Sequence, residues 1–337
     1  MSMKKLHLLT VAVAACLAFA PKAFAKNVKV GFSLPTLQEE RWGRDRDAMK
    51  AEAKKLGVDL RVQVSNNDAA KQVSQCENLI SQGVKVLIVA PHDATSASVI
   101  VDKAVKAGVK VISYDRLVLD SMSDYYYLSF DNVKVGELQG DWLTKKVEKG
   151  NYVVLAGAPT DNNAKLFREG AMKKIQPLVD SGAVKVVFDQ WVKDWSPAEA
   201  QKLCEQALTA AANKVDGVLA PNDGTAGGCI QALAAQGLAG KVPITGQDAE
   251  VAAAIRIVQG QQGMTVFKDT RLLAKKAVEM AVELVNGKTI DTEGKVVNNN
   301  KKDIPSVLLT PYAVTKDNLD ELLIKSGYLK KDQVYKK

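Results

Sequence analysis

VKVLIVAPHDATSASVIVDKAVKAGVKVISYDR, residues 84–116, holds two apolar runs separated by one amphipathic stretch, and each run stops at a polar cluster. Short, continuously apolar runs of this length read as strands buried on both faces. The stretch between them has helical spacing and ends at Gly108. Strand, helix, strand is a βαβ unit, so the two strands lie parallel. The pattern extends in both directions. Upstream come VKVGFSL (Val28 to Leu34), a helix from about Glu39 to Leu56 that Gly57 ends, DLRVQVS, and a helix with Val73, Cys76, Leu79 and Ile80 on one face. A second series starts at Tyr152 with YVVLAGA and runs through VKVVFDQ, VDGVLA, VPITG and MTVF, each separated from the next by a helical stretch. Repeated βα units imply parallel sheets with helices on both faces. The fold class expected is therefore α/β, with two flavodoxin-like, doubly wound lobes.

The chain does not stop with the second series. A long helix, about Thr270 to Val285, and a last strand-like run, VLLTPYAV, follow MTVF. The extra helix predicts a return to the first lobe, and a chain that crosses more than once makes a hinge. The expected division is 26–132 with 270–306 in one lobe and 133–269 with 307–337 in the other.

The first residues read as an export signal. Met1 to Lys5 is a short basic start, Leu8 to Ala20 is apolar, and Ala23-Phe24-Ala25 has the small-x-small pattern of a cleavage site. Cleavage after Ala25 places the mature chain in the periplasm. Lipoprotein processing at Cys16 is the rival, opposed by the apolar LAFAPKAFA that follows it.

Loss of Lys4, Lys5 and Lys22 lowers the formal charge from +8 to +5, and the remaining Lys are scattered beside Glu. Nucleic acid is thus not an expected partner. His92 is the sole histidine after cleavage, which leaves no basis for a His-based metal site or a catalytic triad. Cys76, Cys204 and Cys229 are an odd set. Three inert thiols are the favoured reading, with a Cys204–Cys229 pair left open. Gly287-Lys288-Thr289 lacks the earlier glycine of a phosphate loop, and no G-x-G-x-x-G occurs. No cofactor, no metal and no catalytic residue is expected.

The polar clusters carry the function. They are Pro91 to Asp93, Asp115-Arg116, Asp161-Asn162-Asn163, Asn222-Asp223, Gln247-Asp248 and Lys268-Asp269. Ligands of open α/β sheets bind at the carboxyl ends of the strands. Mixed donors and acceptors there suit a sugar. Asp161, Asn222, Asp223, Thr225 and Asp248 have an equally good reading as helix N-caps. Arg116 and Lys268 do not, because a cation opposes the dipole at a helix N-terminus. Trp42, beside Arg41, and Trp195, in the polar loop KDWSP, are candidates to stack on a sugar ring. Trp142 and Trp191 are assigned to packing.

The segments ERWGRDRD, NLISQGVKVLIVAP, VISYDR, SFDNVKVGELQG, DNNAKLFREGAMK, NDGTAGGCIQAL, QGLAGKVPITGQDAE and TVFKDTRLLA occur in order over nearly the whole mature chain. Together they resemble the periplasmic sugar-binding proteins of bacterial ABC importers, the type I periplasmic binding protein family. The resemblance implies three hinge crossings and one monosaccharide between the lobes, D-xylose ahead of glucose, arabinose, ribose or galactose. It implies Arg41, Trp42 and Arg116 as ligand contacts from the first lobe. From the second it implies Asp161, Asn163, Trp195, Asn222 and Asp248, with Lys268 at the hinge. It further implies a monomer that delivers its sugar to an inner-membrane ABC permease with a cytoplasmic ATPase, and no enzymatic activity. PTLQEE before Arg41 and the PHD cluster depart from the family pattern, and His92 is expected in a surface loop. A chemoreceptor ligand carrier and, more remotely, a secreted carbohydrate-active enzyme are the alternatives. A sugar-responsive transcription regulator would need an N-terminal helix-turn-helix where this chain has an export signal.

Overall fold

Buried runs and amphipathic stretches assemble into two lobes, and the chain passes between them three times. The computed structural model describes residues 27–335, so the expected leader, its cleavage site and Cys16 lie outside the described residues. The first lobe opens with β1 (Lys29–Leu34), α1 (Glu40–Leu56), β2 (Asp59–Val64), α2 (Ala69–Ser81), β3 (Val86–Val89), α3 (Ser98–Lys106), β4 (Lys110–Tyr114) and β5 (Tyr126–Phe130). The second lobe runs through α4 (Asn132–Lys146), β6 (Gly150–Ala156), α5 (Asn162–Asp180), β7 (Val184–Trp191), α6 (Pro197–Ala210), β8 (Gly217–Leu219), α7 (Asp223–Ala235), α8 (Val251–Val258) and β9 (Met264–Phe267). The chain then returns as α9 (Thr270–Val285), β10 (Val296–Asn298) and β11 (Asp303–Leu309). It ends in the second lobe with β12 (Tyr312–Thr315), a π-helical turn (Asp320–Lys325) and α10 (Lys331–Val334).

The first sheet has the order β10-β11-β5-β4-β3-β1-β2 and is parallel except for β10. Its strands serve two cores because side chains alternate across a sheet. In β3, Val86 and Ile88 join Phe32, Met49, Leu273 and Met280 under α1 and α9. Leu87 and Val89 join Cys76, Leu79, Ile100 and Val111 under α2 and α3. Each such aliphatic side chain contributes roughly 1.5–3 kcal/mol on burial.

The second lobe is less regular. β7-β6-β8 are parallel, and β9 pairs antiparallel with β12. VPITG does not form the full strand expected. Ile244 makes one parallel bridge to Val218, since Pro243 has no N–H to give the ladder. Helices α4 and α5 touch backbone to backbone. A side chain at Gly136 would collide with the Phe167 carbonyl, and one at Gly170 with that of Val133. This close approach draws Asn132 and Asn163 together at the helix starts, 3.0 Å apart in a hydrogen bond.

Four further expectations are corrected. VLLTPYAV is not one strand: β11 pairs with β5 in the first lobe and β12 with β9 in the second. The ladder stops at Thr310-Pro311, because proline cannot donate, and the third crossing lies there rather than after residue 306. Cys204 on α6 and Cys229 on α7 form a disulfide with Cα atoms 5.3 Å apart, and only Cys76 is a free, buried thiol among the described residues. The odd count concealed one pair and one leftover. Trp191 is 38% exposed rather than packed, since β7 is the edge of its sheet. Among the described residues no helix is long and apolar enough to cross a membrane.

Candidate functional site

The nine candidate residues converge on one cavity between the lobes. Arg41 and Trp42 come from the first turn of α1, and Arg116 from the end of β4. Asp161 and Asn163 come from the start of α5, Trp195 from the turn before α6, and Asn222 from the start of α7. Asp248 follows the strand-like VPITG segment, and Lys268 comes directly after β9, at the second crossing. Four further residues line the cavity: Glu39, Asp115, Phe167 and Gln247. Asp115 and Gln247 stand in the strand-end clusters and were legible there. Glu39 only precedes Arg41, and Phe167 carries no polar signal.

Charge pairs hold the first-lobe wall. Arg41 Nη1 lies 2.7 Å from Asp115 Oδ1, and Arg41 Nε donates to Asp45 Oδ2 at 3.1 Å. Asp45 in turn accepts from the Tyr114 hydroxyl. Burial pushes the Asp45 carboxyl up to about 6, against the pull of Arg41. Burial also acts on Asp115, but there Arg41, Lys268 and Arg116 together outweigh it and hold the carboxyl below its ordinary range. Trp42 is fully buried in the core, with the Arg41 and Arg116 guanidiniums 4.5 and 5.2 Å from its ring centroid.

On the second-lobe wall, the cap and site readings turn out to use different atoms. Asp161 Oδ1 caps α5 by accepting from Asn163 N at 2.9 Å. Its Oδ2 faces Arg116 Nε at 2.8 Å and Trp195 Nε1 at 3.2 Å. Burial raises this carboxyl, and Arg116 offsets part of the rise. Asn222 forms a capping box with Thr225. Asp223 lies behind the wall, accepting from Gln262 at 2.7 Å and Thr265 at 2.8 Å. Asp248 has a φ of 96° and caps no helix; its Oδ1 lies 3.2 Å from Lys268 Nζ and 3.7 Å from Arg41 Nη1. Trp195 lies over Gly157, where any side chain would strike the indole ring. It meets Phe167 edge-on at 6.3 Å, and Phe167 also carries Lys268 Nζ 5.4 Å from its centroid.

Asn163 has a bridging role. Its amide donates to the Asp115 carbonyl at 2.9 Å and accepts from Tyr127 at 3.2 Å and Asn132 at 3.0 Å. Other bonds seal the seam: Ala94 N to Thr160 O at 2.9 Å, Val251 N to Glu40 Oε2 at 3.1 Å, and Arg44 Nη1 to Tyr328 O at 3.1 Å. The PHD cluster belongs to this seam. Asp93 accepts from Ser96 N at 2.7 Å, and His92, in the expected loop but half-buried, has Nε2 3.9 Å from Asp194 across the lobes.

The cavity wall has unmet hydrogen-bonding capacity. Glu39 Oε2, Trp42 Nε1 and Gln247 Oε1 are buried without a hydrogen-bond partner among the described residues. Asp115 Oδ1 and Asp248 Oδ1 have cations beside them but no aligned N–H among the described residues. Buried polar atoms are costly unless bonded. A small ligand rich in hydroxyls can both donate to and accept from such a set.

Residues 30–289 match the family described as "Periplasmic binding protein domain". The chain is 50% identical over 312 residues to the D-xylose-binding periplasmic protein of Escherichia coli strain K12, covering 93% of this chain and 94% of that one. It is 47% identical over 331 residues to the D-xylose-binding periplasmic protein of Haemophilus influenzae, covering 98% and 99%. A solved structure of similar fold is the carbohydrate transporter solute binding protein of Chloroflexus aurantiacus in complex with D-glucose, with a TM-score of 0.85, 37% identity, and coverage of 91% and 98%. The chain belongs to the periplasmic binding protein family, and its fold is the type I fold of that family.

Proposed function

We propose that the chain captures one monosaccharide, D-xylose, between its lobes and delivers it to an ABC permease of the inner membrane. The observation that carries this reading is the cavity wall of paired charges and unbonded buried acceptors, contributed by both lobes. Arg41, Arg116 and Lys268 supply donors, Asp115, Asp161 and Asp248 supply acceptors, and Trp42 or Trp195 supplies a ring face. Relatives named for D-xylose at 50% and 47% identity support the choice of sugar.

Closure follows from where the groups sit. Neither lobe alone presents the whole set, so the sugar gains its full contacts only when the lobes meet, and the population shifts toward the closed form. The two units that close are 27–131 with 269–309, and 132–268 with 310–335. Several charge-assisted bonds and one stacked ring are enough for micromolar affinity, about −8 kcal/mol. The chain performs no chemistry in this reading, and the energy of import comes from the ATPase. Export ends with cleavage after Ala25.

Calorimetric titration of the purified chain with D-xylose, glucose, ribose, arabinose and galactose tests the reading. Tight binding of D-xylose with weaker binding of the rest is expected. Silence toward D-xylose with tight binding of another aldose would overturn the choice of sugar, and silence toward all would overturn the class.

A further inference from the structure

We propose that Glu39 is a specificity-determining residue of this cavity: its carboxyl forms a hydrogen bond with one hydroxyl of the bound aldose and so sets which epimers and deoxy sugars the chain accepts. The inference rests on the monosaccharide reading above and adds one residue's role to it.

Two adjacent glutamates precede Arg41, and they have different fates. Glu40 is spent on the protein, pairing with Arg44 and accepting from Val251 N across the lobes. Glu39 is 8% exposed, lines the cavity, and has a buried Oε2 with no partner among the described residues. The fold does not require it. Glu39 occupies the N-cap position of α1 without making a side-chain cap bond, at a position where Ser, Thr, Asp or Asn would have satisfied an orphan N–H.

The charge arrangement points the same way. Three cations line the cavity, Arg41, Arg116 and Lys268, and each is within ion-pair distance of an aspartate there. Glu39 enters no ion pair among the described residues and is the surplus acid in the wall. Burial pushes its carboxyl up, Arg116 opposes the rise, and Asp248 adds to it. The Glu39 Oε2 in the wall is placed to accept a hydrogen bond from a sugar hydroxyl. Sites that bond a specific hydroxyl discriminate against sugars lacking it, because a buried polar atom is then left unpaired.

The test is a cycle between side chain and ligand. The full mature chain, Glu39→Gln and Glu39→Leu are titrated by calorimetry with D-xylose and its 2-, 3- and 4-deoxy analogues, with thermal unfolding measured alongside. The parent is expected to lose roughly 10- to 100-fold in affinity for one deoxy analogue more than for the others. Glu39→Leu is expected to weaken D-xylose by a similar factor and to show no further loss with that same analogue. Glu39→Gln should change the penalty at that one hydroxyl alone. Glu39→Leu binding every sugar within about twofold of the parent overturns the inference while leaving the sugar reading intact. If Glu39→Leu does not fold, equality of Glu39→Gln and parent on every analogue overturns it instead. A parent that binds no aldose overturns the reading beneath and this inference with it.

Discussion

Arg116 of the first lobe and Asp161 of the second are joined across the cleft, Nε to Oδ2, at 2.8 Å, with both side chains buried. The pair forms only when the lobes meet, so it belongs to closure as much as to the cavity. Asp161 also caps α5 with its other oxygen. Its substitutions therefore separate two functions. Asp161→Asn keeps a good cap and removes the charge, so thermal stability should hold while D-xylose affinity falls by roughly 10- to 100-fold. Asp161→Ala should lose affinity and about 1 kcal/mol of stability besides, as read by denaturant unfolding.

Asp248 tests binding with little interference from folding. Its side chain caps no helix and faces Lys268 and Arg41. Asp248→Asn retains a residue type that tolerates positive φ. Calorimetry should show a loss of roughly 10-fold or more, with the melting temperature nearly unchanged. A chain that unfolds yet binds normally in its folded fraction would assign Asp248 to the scaffold.

The Cys204–Cys229 disulfide closes a loop of separation 25 between α6 and α7, within the second lobe's core and away from the cavity. Its double replacement by Ala should cost about 3 kcal/mol in urea unfolding, with sugar affinity unaltered. Mass spectrometry of the mature chain should find one disulfide and one unreactive thiol. Burial raises the Cys76 thiol to about 11, which leaves little thiolate at neutral pH.

Glu250, at the N-cap of α8, predicts a pH dependence. Burial first, then the neighbouring carboxylates of Asp223, Asp248 and Glu40, raises its folded-state pKa. A raised carboxyl means that the folded chain holds more protons than the unfolded one between the ordinary carboxylate range and the elevated folded value. Stability therefore falls as pH rises through that window. Melting temperature measured from pH 5 to 9 should decline on the alkaline side. In Glu250→Gln that decline should be shallower, and the variant should exceed the parent above neutrality. An identical slope in the two proteins would show that Glu250 does not set it.

The architecture was legible because strand and helix signals are local. VLIVA, VISY and MTVF declare themselves by composition, and α9 occupies the expected Thr270–Val285. The misreadings share a cause. VLLTPYAV has the composition of one strand, yet its two halves pair with β5 and β9 in different lobes. Trp191 has the composition of core, yet it sits on an edge. Such outcomes depend on which neighbour a segment meets, and residues near one another in sequence carry no record of that.

By itself, then, the sequence determined that polar clusters end the strands of two βα series, because hydrophobic period and turn chemistry act over a few residues. It also isolated Arg116 and Lys268, whose charge is wrong for helix caps. Only the tertiary structure decided what those clusters do. It set Arg116 against Asp161, gave Asp161 Oδ1 to a cap and Oδ2 to the cavity, and moved the PHD cluster to the seam. It also left Glu39 Oε2 in the wall without a partner among the described residues. These facts hinge on ångström-scale distances between residues far apart in the chain, and such distances exist only once two separately folded lobes close on each other.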